Sequence, residues 1–275
     1  MYQVLSGKEA SEALLEEIKQ KVAKMEKKPH LAIVLVGNDP ASEIYVKKKL
    51  EKAASVGVEA TLKKLDESAS EQDVLKLVDE LNNDKRIDGF IVQSPLPKQI
   101  DESKVVEAID PRKDVDGWTS SNMGRMFIGL DSFLPATPAG VMRILDHYKV
   151  DLNGKNATVI GRSNVVGKPL AFLLLQRNAT VTICHSRTKD LAEHTKNADV
   201  VVAAVGKPGL VTADMIKEGA YVVDVGTTRV EGKLKGDVDF DNVIKKAHCS
   251  PVPGGVGPMT VSMLISNVVK AHEEG

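Results

Sequence analysis

The apolar residues fall into short unbroken runs separated by amphipathic stretches. Residues 31–36 (LAIVLV) are continuously apolar, the pattern of a strand buried on both faces. Gly37-Asn38-Asp39-Pro40 follows, with Asp39 suited to an N-cap and Pro40 to the first helical position. A helix is therefore predicted to about Val56, where Gly57 supplies a left-handed stop. Residues 59–65 read as the next strand, 70–81 as an amphipathic helix and 89–93 as a third strand. Parallel strands joined by helices predict a doubly wound α/β sheet.

Residues 110–138 break the rhythm. They are rich in Pro, Gly, Ser and Asp and read as a connector that carries function rather than as a packed layer. Alternation then resumes, with strands over 157–160, 180–184, 199–205 and 221–225 and a helix opening at 167–176. Residues 250–258 (SPVPGGVGP) hold too much Pro and Gly for a regular element, and 259–272 reads as a final helix. The expected architecture is α/β with two domains, residues 1–134 and 135–258, facing a cleft. The last helix, within 259–275, is expected to return to the first domain.

Composition narrows the class. The chain has 275 residues, Lys+Arg 37 against Asp+Glu 38, 42% hydrophobic residues and 4% aromatics. A formal net charge of -1 argues against a nucleic-acid partner, which needs a basic face to displace counterions. No apolar run reaches the ~18 residues of a membrane span. The start, MYQVLSGKEA, lacks an export pattern, and Cys184 and Cys249 match no disulfide or metal framework. A cytoplasmic protein is expected, and no metal.

Two places suggest a nucleotide. The strand ending at Ile160 runs into Gly161-Arg162-Ser163-Asn164-Val165-Val166-Gly167, where a dinucleotide-binding turn would sit, although Ser163 replaces the middle glycine of GxGxxG. A plain βα turn would look the same. After the next strand comes Cys184-His185-Ser186-Arg187-Thr188, with no acid to bind ribose hydroxyls. Ser186 and Arg187, together with Arg162, offer donors and positive charge to a 2′-phosphate, which points to NADP rather than NAD.

The first half holds a different constellation. Tyr45 and Lys49 lie four apart on a predicted helix and share a face, whereas Lys47 and Lys48 read as solvated surface. Gln93-Ser94-Pro95-Leu96-Pro97 follows the third strand at its carboxyl end, the usual place for ligand contacts, or else is a simple Pro turn. Asp114-Val115-Asp116-Gly117 lacks the further ligands of a calcium loop; a carboxylate binding the amine and ring nitrogen of a heterocycle fits it.

Taken together, these motifs resemble the bifunctional methylenetetrahydrofolate dehydrogenase/methenyltetrahydrofolate cyclohydrolase family, the FolD type. The likeness spans nearly the whole chain. It also includes Pro135-Ala136-Thr137-Pro138, Lys168-Pro169, and the segment Pro251-Val252-Pro253-Gly254-Gly255-Val256-Gly257-Pro258-Met259-Thr260. Ser94 stands where that family often has leucine, and Ala136 where it often has cysteine. The resemblance implies a folate-binding catalytic domain and a Rossmann-like NADP domain. It implies that Lys49 is the acid/base group of the cyclohydrolase step, held by Gln93, with Tyr45 stacking on the aminobenzoyl ring and Asp116 anchoring the pterin. For that role the lysine pKa is expected to be lowered, by nearby positive charge and partial burial. Pro253, Gly254 and Gly255 would line the substrate site. Gly161, Arg162, Ser163, Ser186, Arg187 and Thr227 would hold NADP. A homodimer through the second domain and a place in purine biosynthesis are implied as well.

Overall fold

In chain order the computed structural model, which describes residues 2–275, forms α1 (Gly7–Ala23), β1 (His30–Val36), α2 (Pro40–Ser55), β2 (Glu59–Leu65), α3 (Glu71–Asn83), β3 (Gly89–Val92), α4 (Glu102–Glu107), α5 (Ser120–Phe127) and α6 (Ala136–His147). There follow β4 (Asn156–Ile160), α7 (Gly167–Gln176), β5 (Thr180–Cys184), α8 (Leu191–Thr195), β6 (Val200–Ala203), β7 (Tyr221–Asp224), β8 (Thr228–Val230), β9 (Lys233–Lys235), α9 (Phe240–Val243), β10 (His248–Cys249) and α10 (Val256–Glu274). The chain divides into two units. One comprises Ala13–Ala136 with Val261–Gly275, the other the residues up to Glu12 with Thr137–Thr260.

In the first unit a parallel sheet has the order β2-β1-β3, with Leu31 opposite Ala60 on one side and Gly89 on the other. The start of α2 follows the expected chemistry: Asp39 accepts from the Ser42 amide at 2.7 Å, and Pro40 opens the helix. Ala32, Val34 and Val36 of β1 and Phe90 of β3 pack on Val74, Val78 and Leu81 of α3, with Val105 of α4 beneath. Leu31, Ile33 and Leu35 point the other way and are just as buried, and α2 lies against β1 and β2.

The segment 110–138 departs from its expected loop character. Asp114 is 1% exposed, and its carboxylate accepts from the Thr119 amide (2.8 Å), the Trp118 amide (3.2 Å) and Asn122 Nδ2 (2.9 Å). Its backbone forms a parallel bridge to Phe90, and Thr119 caps α5 through the Asn122 amide. The polar residues that suggest a solvated connector satisfy one another inside the fold, so composition misleads. Asn267 of α10 completes the packing, donating to Val115 O (2.8 Å) and Leu134 O (2.9 Å).

In the second unit five parallel strands run in the order β10-β7-β6-β4-β5. Progression along the chain reverses direction between β4 and β6. The strand expected over 199–205 is confined to Val200–Ala203, because the amides of Val205, Gly206 and Lys207 are taken by the Asp237 carboxylate. The final helix starts at Val256, three residues before the expected Met259. Gly257 and Pro258 fit its first turn, where a missing proline N–H costs nothing. The turn between β8 and β9 places Glu231 at φ 49° and Gly232 at φ 79°, the left-handed pair that a tight hairpin requires.

Candidate active site and cofactor-binding turns

The first unit brings three of the expected residues together. Gln93 follows β3 directly, and its amide continues the sheet by donating to Val34 O at 2.9 Å. From within α2, Lys49 donates through Nζ to Gln93 Oε1 at 3.0 Å. Gln93 Nε2 in turn donates to Ser94 O at 2.6 Å, which fixes the amide with its oxygen toward the lysine. Ser94 Oγ bonds to Glu102 of α4. A serine in place of leucine here therefore tethers the turn that carries Gln93.

Electrostatics single out the lysine and its acidic neighbour. Burial pulls the Lys49 pKa below its ordinary value, while the Asp116 charge works against that shift. Of the two expected causes only burial operates, since the charged neighbour is negative rather than positive. Asp116 is pushed up to about 6, chiefly by burial, with Lys49 opposing and Asp114 adding to the rise. Gly117 makes the sharp turn behind it at φ 68°, where a Cβ would lie 2.4 Å from Phe133 O. The result is a partly desolvated amine and carboxylate, the amine's pKa lowered and the carboxyl's raised.

Tyr45 lies one turn before Lys49 and is 46% exposed. Lys48 Nζ stands 6.0 Å from the centre of its ring, so Lys48 meets the aromatic rather than turning away as expected. Lys47 pairs with Glu51 at 3.9 Å on the solvated surface.

The second unit carries the remaining residues at the carboxyl ends of its strands. Gly161 follows β4 at φ 132°, and a Cβ there would lie 2.4 Å from Ala204 O. Gly167 opens α7 against Gly161 O, with 2.3 Å for a Cβ. The main chain needs glycine at both places. Ser163 Oγ accepts from the Val166 (3.2 Å) and Gly167 (3.3 Å) amides, which leaves its own proton to donate outward. Arg162 and Thr227 are exposed, as are Ser186 and Arg187 in a turn closed by Thr188 N to His185 O at 2.8 Å. Two guanidinium groups and hydroxyls, without a carboxylate at the end of β5, form a donor set that fits a phosphorylated nucleotide. In the loop before α10, Gly254 accepts from the Lys8 amide at 3.0 Å and sits at φ 101°. Gly255 packs against Pro251 O, where a Cβ would come within 2.4 Å, and Pro253 is exposed.

Two buried carboxylates escape a reading of the sequence. Asp224 is 2% exposed and Asp237 is fully buried, and both are held by backbone amides. The available signal is an acid at the end of an apolar strand, in Tyr221-Val222-Val223-Asp224. Burial pushes Asp224 up to about 6.

Comparison with known proteins agrees along the whole chain. Residues 5–116 match the model of the tetrahydrofolate dehydrogenase/cyclohydrolase catalytic domain, and residues 135–275 match that of the tetrahydrofolate dehydrogenase/cyclohydrolase NAD(P)-binding domain. The bifunctional protein FolD of a Nitratiruptor species is 52% identical over 277 residues, covering 99% of this chain and 98% of its own. The crystal structure of the bifunctional FolD methylenetetrahydrofolate dehydrogenase/cyclohydrolase from Campylobacter jejuni superposes with a TM-score of 0.97 at 44% identity, over 100% of this chain and 99% of that one. The Trypanosoma brucei dehydrogenase-cyclohydrolase, solved with NADP and an inhibitor, gives a TM-score of 0.95 at 36% identity, over 99% of this chain and 98% of that one.

Proposed function

The chain belongs to the tetrahydrofolate dehydrogenase/cyclohydrolase family, and from that premise we infer how its residues divide the work of two consecutive reactions. The enzyme oxidises 5,10-methylenetetrahydrofolate to 5,10-methenyltetrahydrofolate with NADP, then hydrolyses the product to 10-formyltetrahydrofolate. The observation that carries the residue assignment is the Lys49–Gln93–Asp116 group, a partly desolvated lysine held by an amide oxygen beside a carboxylate.

When bound, NADP supplies the hydride acceptor. Lone pairs on the two folate nitrogens stabilise the cation left on the methylene carbon, so the protein's task in this step is alignment. Asp116 anchors the pterin by accepting from its amine and ring N–H, and Tyr45 stacks on the aminobenzoyl ring. Arg162, Ser186 and Arg187 bind the 2′-phosphate; Gly161, Ser163 and Thr227 accommodate the rest of the cofactor. Pro253, Gly254 and Gly255 line the folate site. The unit Ala13–Ala136 with Val261–Gly275 forms the folate half, and the residues up to Glu12 with Thr137–Thr260 form the NADP half, so the first residues of the chain, expected in the folate domain, go with the other unit.

Hydrolysis needs proton management. The neutral Lys49 amine takes a proton from the water that attacks the methenyl carbon. The resulting ammonium then protonates N5 as the ring C–N bond breaks, while the carbinol hydroxyl gives up its remaining proton to solvent, leaving the formyl group on N10 and one proton released overall. Gln93 fixes the amine through both phases, and burial lowers its pKa, which favours the neutral form that acts as base. Such general acid–base help contributes about 10²–10⁴-fold in rate.

No helix among the described residues is long and apolar enough to cross a membrane. A cytoplasmic homodimer supplying formyl groups to purine biosynthesis is consistent with this fold. The open edge of the sheet at β5, where Ile183 is 40% exposed, with Leu175 of α7 at 55%, supports pairing of second domains. The enzymatic reading is tested by following purified protein with methylenetetrahydrofolate and either NADP or NAD. NADPH should form, with the methenyl species rising and then decaying; no reduced cofactor from either nucleotide would refute it.

A further inference from the structure

The buried acid pair of the second unit is built around the point where the sheet's chain order reverses. Asp237 Oδ2 accepts from the amides of Val205 (2.7 Å) and Gly206 (3.0 Å), and Oδ1 accepts from Lys207 (2.6 Å). Asp224 Oδ1 accepts from Gly226 (3.0 Å) and from the Asp237 amide (2.9 Å), and its Oδ2 accepts from Val238 (2.9 Å). Six backbone donors thus converge on two carboxylates. The space for this is reserved by glycines: a Cβ on Gly226 would fall 2.2 Å from Asp237 Cγ, and one on Gly236 1.9 Å from Asp224 Oδ2.

These bonds govern the carboxyl ends of three neighbouring strands. Gly161 leaves β4 in contact with Ala204 O, at the start of the loop after β6. Thr228 Oγ1 donates to Gly206 O at 3.1 Å, which ties the start of β8, just past the end of β7, to the same segment. Ligands of open α/β sheets lie where neighbouring strands diverge in chain order, here between β4 and β6. The loop that Asp237 holds is one wall of that crevice. Its three amides would otherwise extend the strand or turn to water, because a buried donor must find an acceptor.

We propose that Asp237 is a positioning residue for NADP: it fixes the Val205–Lys207 backbone in the shape that the cofactor crevice requires, and Asp224 holds Asp237 in turn. The proposal rests on NADP being the cofactor and adds residues that need not touch it. Its selectivity is for the cofactor over the folate.

The test compares wild type with Asp237→Asn by calorimetric titration of NADP and, separately, of tetrahydrofolate, and by amide hydrogen exchange. An asparagine oxygen can keep the Val205 and Gly206 amides but presents an N–H to Lys207, so one of three bonds is lost. NADP binding should weaken about tenfold, a typical consequence of losing one hydrogen bond to a charged group. Exchange at Val205–Lys207 should quicken, with β4 to β7 protected as before and tetrahydrofolate binding unchanged. Wild-type NADP affinity in a folded variant with faster exchange in this loop would overturn the proposal. Equal weakening for NADP and tetrahydrofolate would also overturn it. Should Asp237→Asn fail to fold, Thr228→Val loosens the same loop from its other side, and the same two outcomes decide. Absence of NADP binding by the wild type would refute the cofactor reading itself, a result separate from either.

Discussion

Replacing Asp116 by asparagine removes a charge from a place where the fold disfavours it. The carboxyl pKa moves from 3.8 to about 6, because burial outweighs the attraction of Lys49. A shift of that size corresponds to about 3 kcal/mol. Its sign follows from linkage: the folded state holds the proton more tightly than the unfolded chain, so this group favours folding at pH 4 and below. That contribution is lost as pH rises through 6, so at pH 8 the wild type lacks the full amount, which a neutral side chain at this place keeps. Asp116→Asn should therefore be more stable than wild type at pH 8, with the gain shrinking through pH 6 and vanishing by about pH 4. With an m-value of ~3 kcal/mol/M, the urea midpoint should rise by about 1 M at pH 8. Trp118, the only tryptophan, lies two residues away and reports unfolding by fluorescence. The stabilised variant should bind tetrahydrofolate poorly, as expected when a carboxylate that the fold disfavours is kept for its ligand. Equal midpoints at pH 8, or a gain that persists at pH 4, would refute the assignment of Asp116 as a buried ionised anchor.

Other consequences can be measured independently. The hydrolysis rate should rise with pH along a limb whose midpoint lies below the ordinary lysine value of 10.5, and Asp116→Asn should move that midpoint lower, because the charge that supports the ammonium is gone. Arg162→Ala combined with Arg187→Ala should raise KM for NADP much more than KM for NAD; equal losses would defeat the 2′-phosphate assignment. Gly161→Ala forces a Cβ to within 2.4 Å of Ala204 O at φ 132°, so it should cost on the order of 2 kcal/mol in stability and weaken NADP binding. A melting temperature equal to that of the wild type would contradict the close packing described for this turn. Ile183→Asp, on the exposed edge strand, should shift the protein toward monomer by light scattering if β5 forms the dimer contact.

The amino-acid sequence discloses most where local rules suffice. Asp39-Pro40 and Gly57 bound α2, and this places Tyr45 and Lys49 one turn apart without any tertiary contact. Gly161 and Gly167 mark the turn between β4 and α7, because backbone proximity leaves no room for a side chain. What escapes is non-local. Gln93 reaches Lys49 across 44 positions, and Asp237 reaches back 30 to 32 positions to the loop after β6. The 110–138 segment misleads for a related reason: polar composition predicts solvent only if the polar groups lack partners, and Asp114, Thr119 and Asn122 are one another's partners. The lowered lysine pKa has the expected direction but only part of the expected cause, since burial is a property of packing and not of neighbouring charges in the chain.

In the cyclohydrolase step Lys49 is the group that moves the protons, a role open to kinetic measurement. Its most direct test is the decay of methenyltetrahydrofolate absorbance with the Lys49→Met protein, beside an NADP titration of the same sample. Decay should fall to the uncatalysed rate while NADP binds as in the wild type; decay at the wild-type rate would contradict the account.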